Sequence, residues 1–177
     1  MKNLKNVLVP TVTLTVICAL LGAALAFTNG LTVDKIAAQD DEKQKIAMQK
    51  ALPADKYTEL GERDGCVIYK AESGSETIGY VVSSSQNGYG GKISVMVGVL
   101  PDNSIKNIDI VSCDDETAGL GQRVKEDSFI SQFSGIKGKV EFGENADAVT
   151  GATISSKAVR DAVNKALSAV ESEVTAK

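Results

Sequence analysis

Between Val7 and Phe27 the chain carries no charged side chain and is built largely from Val, Leu, Ile, Ala and Thr. At a rise of about 1.5 Å per residue, a helix over this run is roughly 30 Å long, enough to cross the hydrocarbon core of a bilayer. Pro10 falls in the first turn of the run, where a missing N–H costs little, and the hydroxyls of Thr11, Thr13 and Thr15 have backbone carbonyls within reach. Lys2 and Lys5 precede the run, while Asp34, Asp40, Asp41 and Glu42 follow it. The positive-inside rule therefore puts the N-terminus in the cytoplasm and exports everything after the span. A cleaved signal peptide is the competing reading, since Ala24-Leu25-Ala26 has the A-x-A form of a cleavage site. However, the run is longer than the usual signal-peptide core, and Thr15-Val16-Ile17 lacks the small residue that a lipoprotein cysteine at Cys18 would need. A retained single-pass membrane anchor is the expectation.

Without Lys2 and Lys5, 17 of the 19 basic residues stand against 23 acidic ones, so the remainder of the chain carries about −6. A phosphate-binding face needs the opposite sign, which argues against nucleic acid as a partner. The sequence contains no histidine, so Ser-His-Asp catalysis and histidine-ligated zinc are excluded. Cys18, Cys66 and Cys113 have no CxxC spacing, which leaves no iron–sulfur or zinc site to expect. Cys66 and Cys113 share the exported side, where a disulfide is open to them, but two buried thiols are the expected reading. No metal site and no catalytic acid–base pair stands out, so any redox role requires a borrowed cofactor.

From about Val33 to Leu52, Ile36, Ala37, Ile46, Ala47 and Leu52 fall near helical spacing, and Pro53 stops the pattern. This predicts a stalk helix whose Asp40-Asp41-Glu42 run is a solvated face; adjacent carboxylates lack the alternation of a calcium loop. Five β segments come next, at Tyr57 to Glu62, Cys66 to Glu72, Thr77 to Ser84, Lys92 to Leu100 and Ile105 to Ser112. Turn chemistry separates them at Asp64-Gly65, Ser73-Gly74, Asn87-Gly88 and Asp102-Asn103. The last two segments read as an antiparallel hairpin with one buried face. From about Ser155 onward, Val159, Ala162, Val163, Ala166, Leu167, Val170 and Val174 form one apolar helical stripe, with Ser155 or Ser156 as the N-cap. The expected fold class is α+β, with an N-terminal transmembrane helix followed by an antiparallel β-sheet and a packed C-terminal helix. The expected divisions are a cytoplasmic tip and anchor over 1–28, a stalk over 29–54 and an extracytoplasmic domain over 55–177.

The segment richest in chemistry is Asp147-Ala148-Val149-Thr150-Gly151-Ala152-Thr153-Ile154-Ser155-Ser156, a small-residue turn that delivers a threonine to the mouth of the last helix. A helix N-terminus offers free N–H groups and about half a positive charge, so it seats a phosphate without a basic side chain. Gly151 and Ala152 allow close approach of backbone and ligand. From these residues alone, a plain turn and cap is the favoured reading.

The Asp-x-x-Thr-Gly-Ala-Thr pattern resembles the flavinylation motif of the FMN-binding domain family, found in the G subunit of Rnf-type complexes and the C subunit of sodium-pumping NADH:quinone oxidoreductases. Gly88-Tyr89-Gly90-Gly91-Lys92-Ile93 resembles the family's GYGG segment, and Glu116-Thr117-Ala118-Gly119-Leu120-Gly121 its ETPGLG loop. The order and spacing agree, and the likeness covers essentially the whole chain. Ala118 stands where the family commonly has proline, and Cys113-Asp114-Asp115 replaces a stretch that often contains histidine. The resemblance implies FMN held covalently through its phosphate on the Thr153 oxygen, attached by a separate flavin transferase. It also implies Glu116, Thr117, Leu120 and Gly121 near the flavin, with Thr150, Gly151 and Ala152 around the phosphate.

At the level of function, the resemblance implies an electron-transfer subunit in a membrane complex of the Rnf type, which couples ferredoxin:NAD+ electron transfer to ion translocation and has other integral membrane subunits as partners. A stand-alone extracytoplasmic flavin carrier and an unflavinylated anchored scaffold are the alternatives. Two other glycine patterns fail on spacing. Val124 occupies the third glycine position of a dinucleotide fingerprint beginning at Gly119, and Gln86 and Ile93 break a P-loop around Gly91-Lys92.

Overall fold

A computed structural model describes residues 2–175, with the side chains of residues 2–6, 34, 36–38 and 175 outside the description. The chain divides into two compact units that meet between Glu42 and Lys43. Helix α1 (Lys2–Ala51) supplies all of the described part of the first unit and the opening turns of the second.

Within the first unit, Val7–Val33 is long and apolar enough to cross a membrane, and none of it is buried by the chain itself. Apolar side chains so completely exposed are stable only in a nonaqueous medium or against another protein. The threonine hydroxyls donate back along the helix, from Thr11 to the Val7 carbonyl at 2.8 Å, Thr13 to Val9 at 2.9 Å and Thr15 to Thr11 at 2.9 Å. Such bonds remove the cost of a bare hydroxyl in hydrocarbon. Pro10 lies inside the helix rather than in its first turn, because α1 starts at Lys2, well before the apolar run. Of the expected stalk positions, Ile36 and Ala37 have side chains outside the description.

The second unit is built on a five-stranded antiparallel meander in the order β1 (Lys56–Arg63), β2 (Cys66–Ser73), β3 (Glu76–Asn87), β4 (Lys92–Val99) and β5 (Ile105–Ser112). Tight turns link successive strands, with left-handed backbone at Asp64-Gly65, Gly74 and Asn103. This is the conformation that Gly, Asn and Asp adopt at least cost. β1 forms an edge, and the charges of Lys56, Glu59, Glu62 and Arg63 discourage pairing with another chain.

One sheet face carries the larger core. Helix α3 (Thr153–Thr175) lays Val159, Ala162, Val163, Ala166, Leu167 and Val170 against Ile68, Val82, Val95, Val97 and Val99. A 3₁₀ turn (Gly121–Lys125), the short α2 (Asp127–Ile130) and a second 3₁₀ turn (Ser131–Phe133) add Val124, Phe129 and Phe133 to the same core. Phe129 and Phe133 meet edge to face at 5.2 Å, a favoured aromatic arrangement. The stripe of α3 ends at Val170. Val174, expected on it, is exposed in the final turn.

The opposite face also carries a core. Ala47, Met48 and Ala51 from the end of α1, with Leu52, pack on Ala71, Val81 and Met96. β4 is consequently buried on both faces over Val95–Val99, where the hairpin reading expected one. Gly98 explains how closely the helix approaches: a Cβ there would stand 2.2 Å from the Ala51 carbonyl oxygen. Asn107 Nδ2 donates to the Lys50 carbonyl at 3.1 Å, and Lys50 pairs with Asp109 at 3.4 Å. Ile46, expected near helical spacing beside Ala47, is exposed, because adjacent helix positions do not share a face. Cys66 and Cys113 are both free and buried in the larger core. Burial raises the Cys113 thiol above its ordinary value, against the pull of Lys125.

Candidate functional site

A cleft of about 440 Å³ opens at the N-terminus of α3. That lies within the range of sites that hold small molecules and cofactors. Seven of the eight sequence-expected site residues line it: Glu116, Thr117, Leu120, Gly121, Gly151, Ala152 and Thr153. Thr150 sits in the preceding turn and is exposed, but is not part of the lining. Tyr89, Ile154 and Ser155 complete the wall. Tyr89 lies in the GYGG segment, Ile154 directly follows the threonine that ends the motif, and Ser155 is one of the two expected helix caps.

The chain into α3 is fixed by local hydrogen bonds. The Ala152 amide donates to the Val149 carbonyl at 3.0 Å, and the Ser156 amide donates to the Ala152 carbonyl at 2.9 Å, the first bond of the helix. Ser156 Oγ accepts from the Val149 amide at 3.0 Å and donates to the Ala152 carbonyl at 2.9 Å. The helix therefore begins at Thr153, two residues before its expected start. The reason is tertiary: Ser156 ties down the preceding turn from inside the first turn, and Ser155 is drawn to another loop. Gly151 has φ +82°, a left-handed conformation that glycine adopts without strain, and it turns the chain so that Thr153 opens the helix. Helix geometry leaves the amides of Thr153, Ile154 and Ser155 without intrahelical acceptors. Three N–H groups and the positive end of the helix dipole thus converge beside the exposed Thr153.

Glu116 connects the three segments around the cleft. The residue is only 4% exposed, yet both carboxylate oxygens have donors. Ser155 Oγ donates to Oε2 at 2.5 Å, while the amides of Gly90 and Gly91 approach Oε1 at 2.9 and 3.5 Å. Burial works against the charge, but the Ser155 hydroxyl and the amides of Gly90, Gly91 and Tyr89 outweigh it and hold this carboxyl below its ordinary pKa. The glycines around it have steric reasons. A Cβ at Gly88 would lie 2.2 Å from Glu116 Oε1, and one at Gly121 would lie 2.5 Å from Oε2. The GYGG turn, the loop from Glu116 to Gly121 and the first turn of α3 are therefore interlocked around one anion.

The wall opposite in character is apolar. Tyr89, Leu120 and Ile154 are among the large apolar side chains exposed on the described second unit, and all three line this cleft. An N–H cluster beside a threonine hydroxyl, with apolar groups alongside, matches a phosphate-bearing aromatic ligand in both parts. These residues fit FMN: the amides of α3 match its phosphate, and the apolar wall its ring system.

Residues 88–168 match the FMN-binding domain family. The G subunit of the proton-translocating ferredoxin:NAD(+) oxidoreductase complex of Clostridium ljungdahlii is 34% identical, with 96% of this chain and 94% of that protein covered. The G subunit of the ion-translocating oxidoreductase complex of Methanosarcina acetivorans is 33% identical over 98% of this chain and 99% of its own. Among solved structures, the C subunit of the Na(+)-translocating NADH-quinone reductase from Parabacteroides distasonis superposes with a TM-score of 0.59 over 77% of this chain and 92% of that one, at 18% identity. That likeness concerns the fold alone. The sequence matches over nearly the whole chain, together with the FMN-binding region, establish that this chain belongs to the FMN-binding domain family, among the G subunits of ion-translocating oxidoreductase complexes.

Proposed function

We propose that the chain is the electron-transfer subunit of a Rnf-type membrane complex, carrying FMN as a phosphoester on Thr153 and serving ferredoxin:NAD+ electron transfer coupled to ion translocation. The observation that carries this reading is an exposed Thr153 hydroxyl at the first turn of α3, inside a cleft with amide donors on one side and apolar side chains on the other. Bound there, FMN would supply the electron chemistry, because its ring accepts and releases electrons that no side chain here can carry. The chain's own part is to bind and orient. The amides of Thr153, Ile154 and Ser155 receive the phosphate, Gly151 removes the bulk that would bar its approach, and Tyr89, Leu120 and Ile154 provide the apolar wall. Covalent attachment turns a dissociable ligand into a fixed relay, an advantage on the outer side of a membrane where lost cofactor is not recovered.

In this reading Val7–Val33 anchors the chain, the N-terminus with Lys2 and Lys5 stays in the cytoplasm, and the domain beyond the stalk lies outside. A flavin transferase loads Thr153, and other integral membrane subunits receive the loaded protein.

Intact mass and in-gel flavin fluorescence after denaturation test the attachment, comparing wild type with Thr153→Ala, each co-expressed with a flavin transferase. The expected outcome is a fluorescent wild-type band heavier by one FMN and a dark mutant. A dark wild type beside a labelled control protein would replace the carrier with an anchored scaffold. Co-purification with integral membrane partners distinguishes a complex subunit from a free-standing carrier.

A further inference from the structure

We propose that the buried carboxylate of Glu116 sets the reduction potential of the flavin in this cleft, holding it lower than the fold would otherwise give; the inference rests on the cleft being the flavin site. Among the described residues, the lining contains one ionisable carboxylate and no lysine or arginine. Glu116 is withdrawn from solvent, and its charge is fixed by the Ser155 hydroxyl on one oxygen and the Gly90 amide on the other. Such a charge cannot swing into water to be screened, so its field in the cleft is stronger than that of a surface carboxylate.

Each electron that enters a group in the cleft adds a negative charge, unless a proton accompanies it. Glu116 opposes that added charge and, being held ionised, has no proton to offer. The positive end of α3 works the other way, but it carries only about half a unit of charge and faces the phosphate placed on Thr153. The full negative charge of Glu116 is left without a matching cation in the lining. Its carboxylate belongs to the cleft wall and is bonded to the second residue after Thr153, so it lies within the site rather than at a distance.

The glycines show how strictly this charge is positioned. Side chains at Gly88 or Gly121 would strike the carboxylate itself. A neutral Gln at 116 preserves the shape: its carbonyl accepts from the Gly90 amide, and its amide donates to Ser155 Oγ.

The experiment is an equilibrium redox titration of flavin-loaded, full-length wild type, Glu116→Gln and Glu116→Asp, with thermal unfolding of the same proteins in unloaded form. The Gln variant is expected to favour reduction by about tenfold per electron, about 59 mV for a one-electron step. The Asp variant, which keeps the charge, is expected to stay within about threefold of wild type. A role confined to bracing the loops predicts unmoved potentials, with a lower unfolding temperature as the sole effect. Equal potentials in wild type and Glu116→Gln would overturn the proposal. If the Gln variant fails to fold or load, Thr117→Lys leaves Glu116 and its hydrogen bonds in place while adding a cation to the rim. It should favour reduction severalfold, and an unchanged potential there overturns the proposal equally. A wild type that accepts no flavin at all would refute the underlying site reading and is distinguishable from either result.

Discussion

The two faces of the sheet are covered in different ways. On one, α3 and the short helical turns between Gly121 and Phe133 form a broad core that includes Phe129, Phe133 and Leu167 and ends at the cleft. On the other, the final turns of α1 contribute Ala47, Met48 and Ala51, which with Leu52 make a much thinner patch. The broad face carries most of the stability and fixes the site. The thin face is closed by the same helix that contains the apolar span, so the domain completes its core with the end of the anchor helix. A soluble domain cut at Pro53 would therefore expose Val81 and Met96.

The largest expected effect breaks the broad face. Phe133→Ala removes a fully buried ring from the aromatic cluster and should cost about 3–5 kcal/mol, measured by denaturant unfolding. Leu52→Ala thins the other face and should cost about 2–3 kcal/mol, near the lower end for such truncations because the core it belongs to is small. A loss equal to that of Phe133→Ala would erase the asymmetry between the faces.

Glu116→Gln should cost about 2 kcal/mol at neutral pH, since charge-assisted hydrogen bonds become neutral ones. Its dependence on acidity gives a sharper test. The folded carboxyl has a pKa below its unfolded value, so its contribution is fully present above the unfolded pKa and disappears as pH falls through the folded one. The stability difference between wild type and Glu116→Gln should shrink on the acid side. The smallest stability effect belongs to Thr153→Ala, an exposed position expected to change unfolding by no more than about 0.5 kcal/mol. The same substitution should abolish covalent flavin, which separates the chemistry of the cleft from the strength of its scaffold.

Much of the sheet was legible because its signals are local. The five expected strands coincide with the observed ones to within a few residues, and every turn between them carries residues suited to a left-handed or tight backbone. β4 reads as buried on one face in the sequence but is buried on both, because the lack of polar alternation in Val95-Met96-Val97-Gly98-Val99 has meaning only when a second covering layer is present. The N-cap was misplaced for a similar reason. Ser155 and Ser156 are good caps in isolation, but each forms its decisive bond elsewhere, with Glu116 and Val149 respectively. Tyr89 gives no local sign of whether it meets solvent, core or ligand.

The sequence by itself determined the elements: an uncharged span, five short strands, an amphipathic closing helix, and a small-residue turn that ends in Thr153. These depend on hydrophobic period, backbone sterics and helix-end chemistry, which act over a few residues. Only the tertiary structure decided that the end of α1 closes the second face and that Glu116 sits between Ser155 and Gly90. Those contacts join segments far apart in the chain, and each residue takes its place because a buried charge needs donors and an apolar surface needs cover that its own segment does not supply.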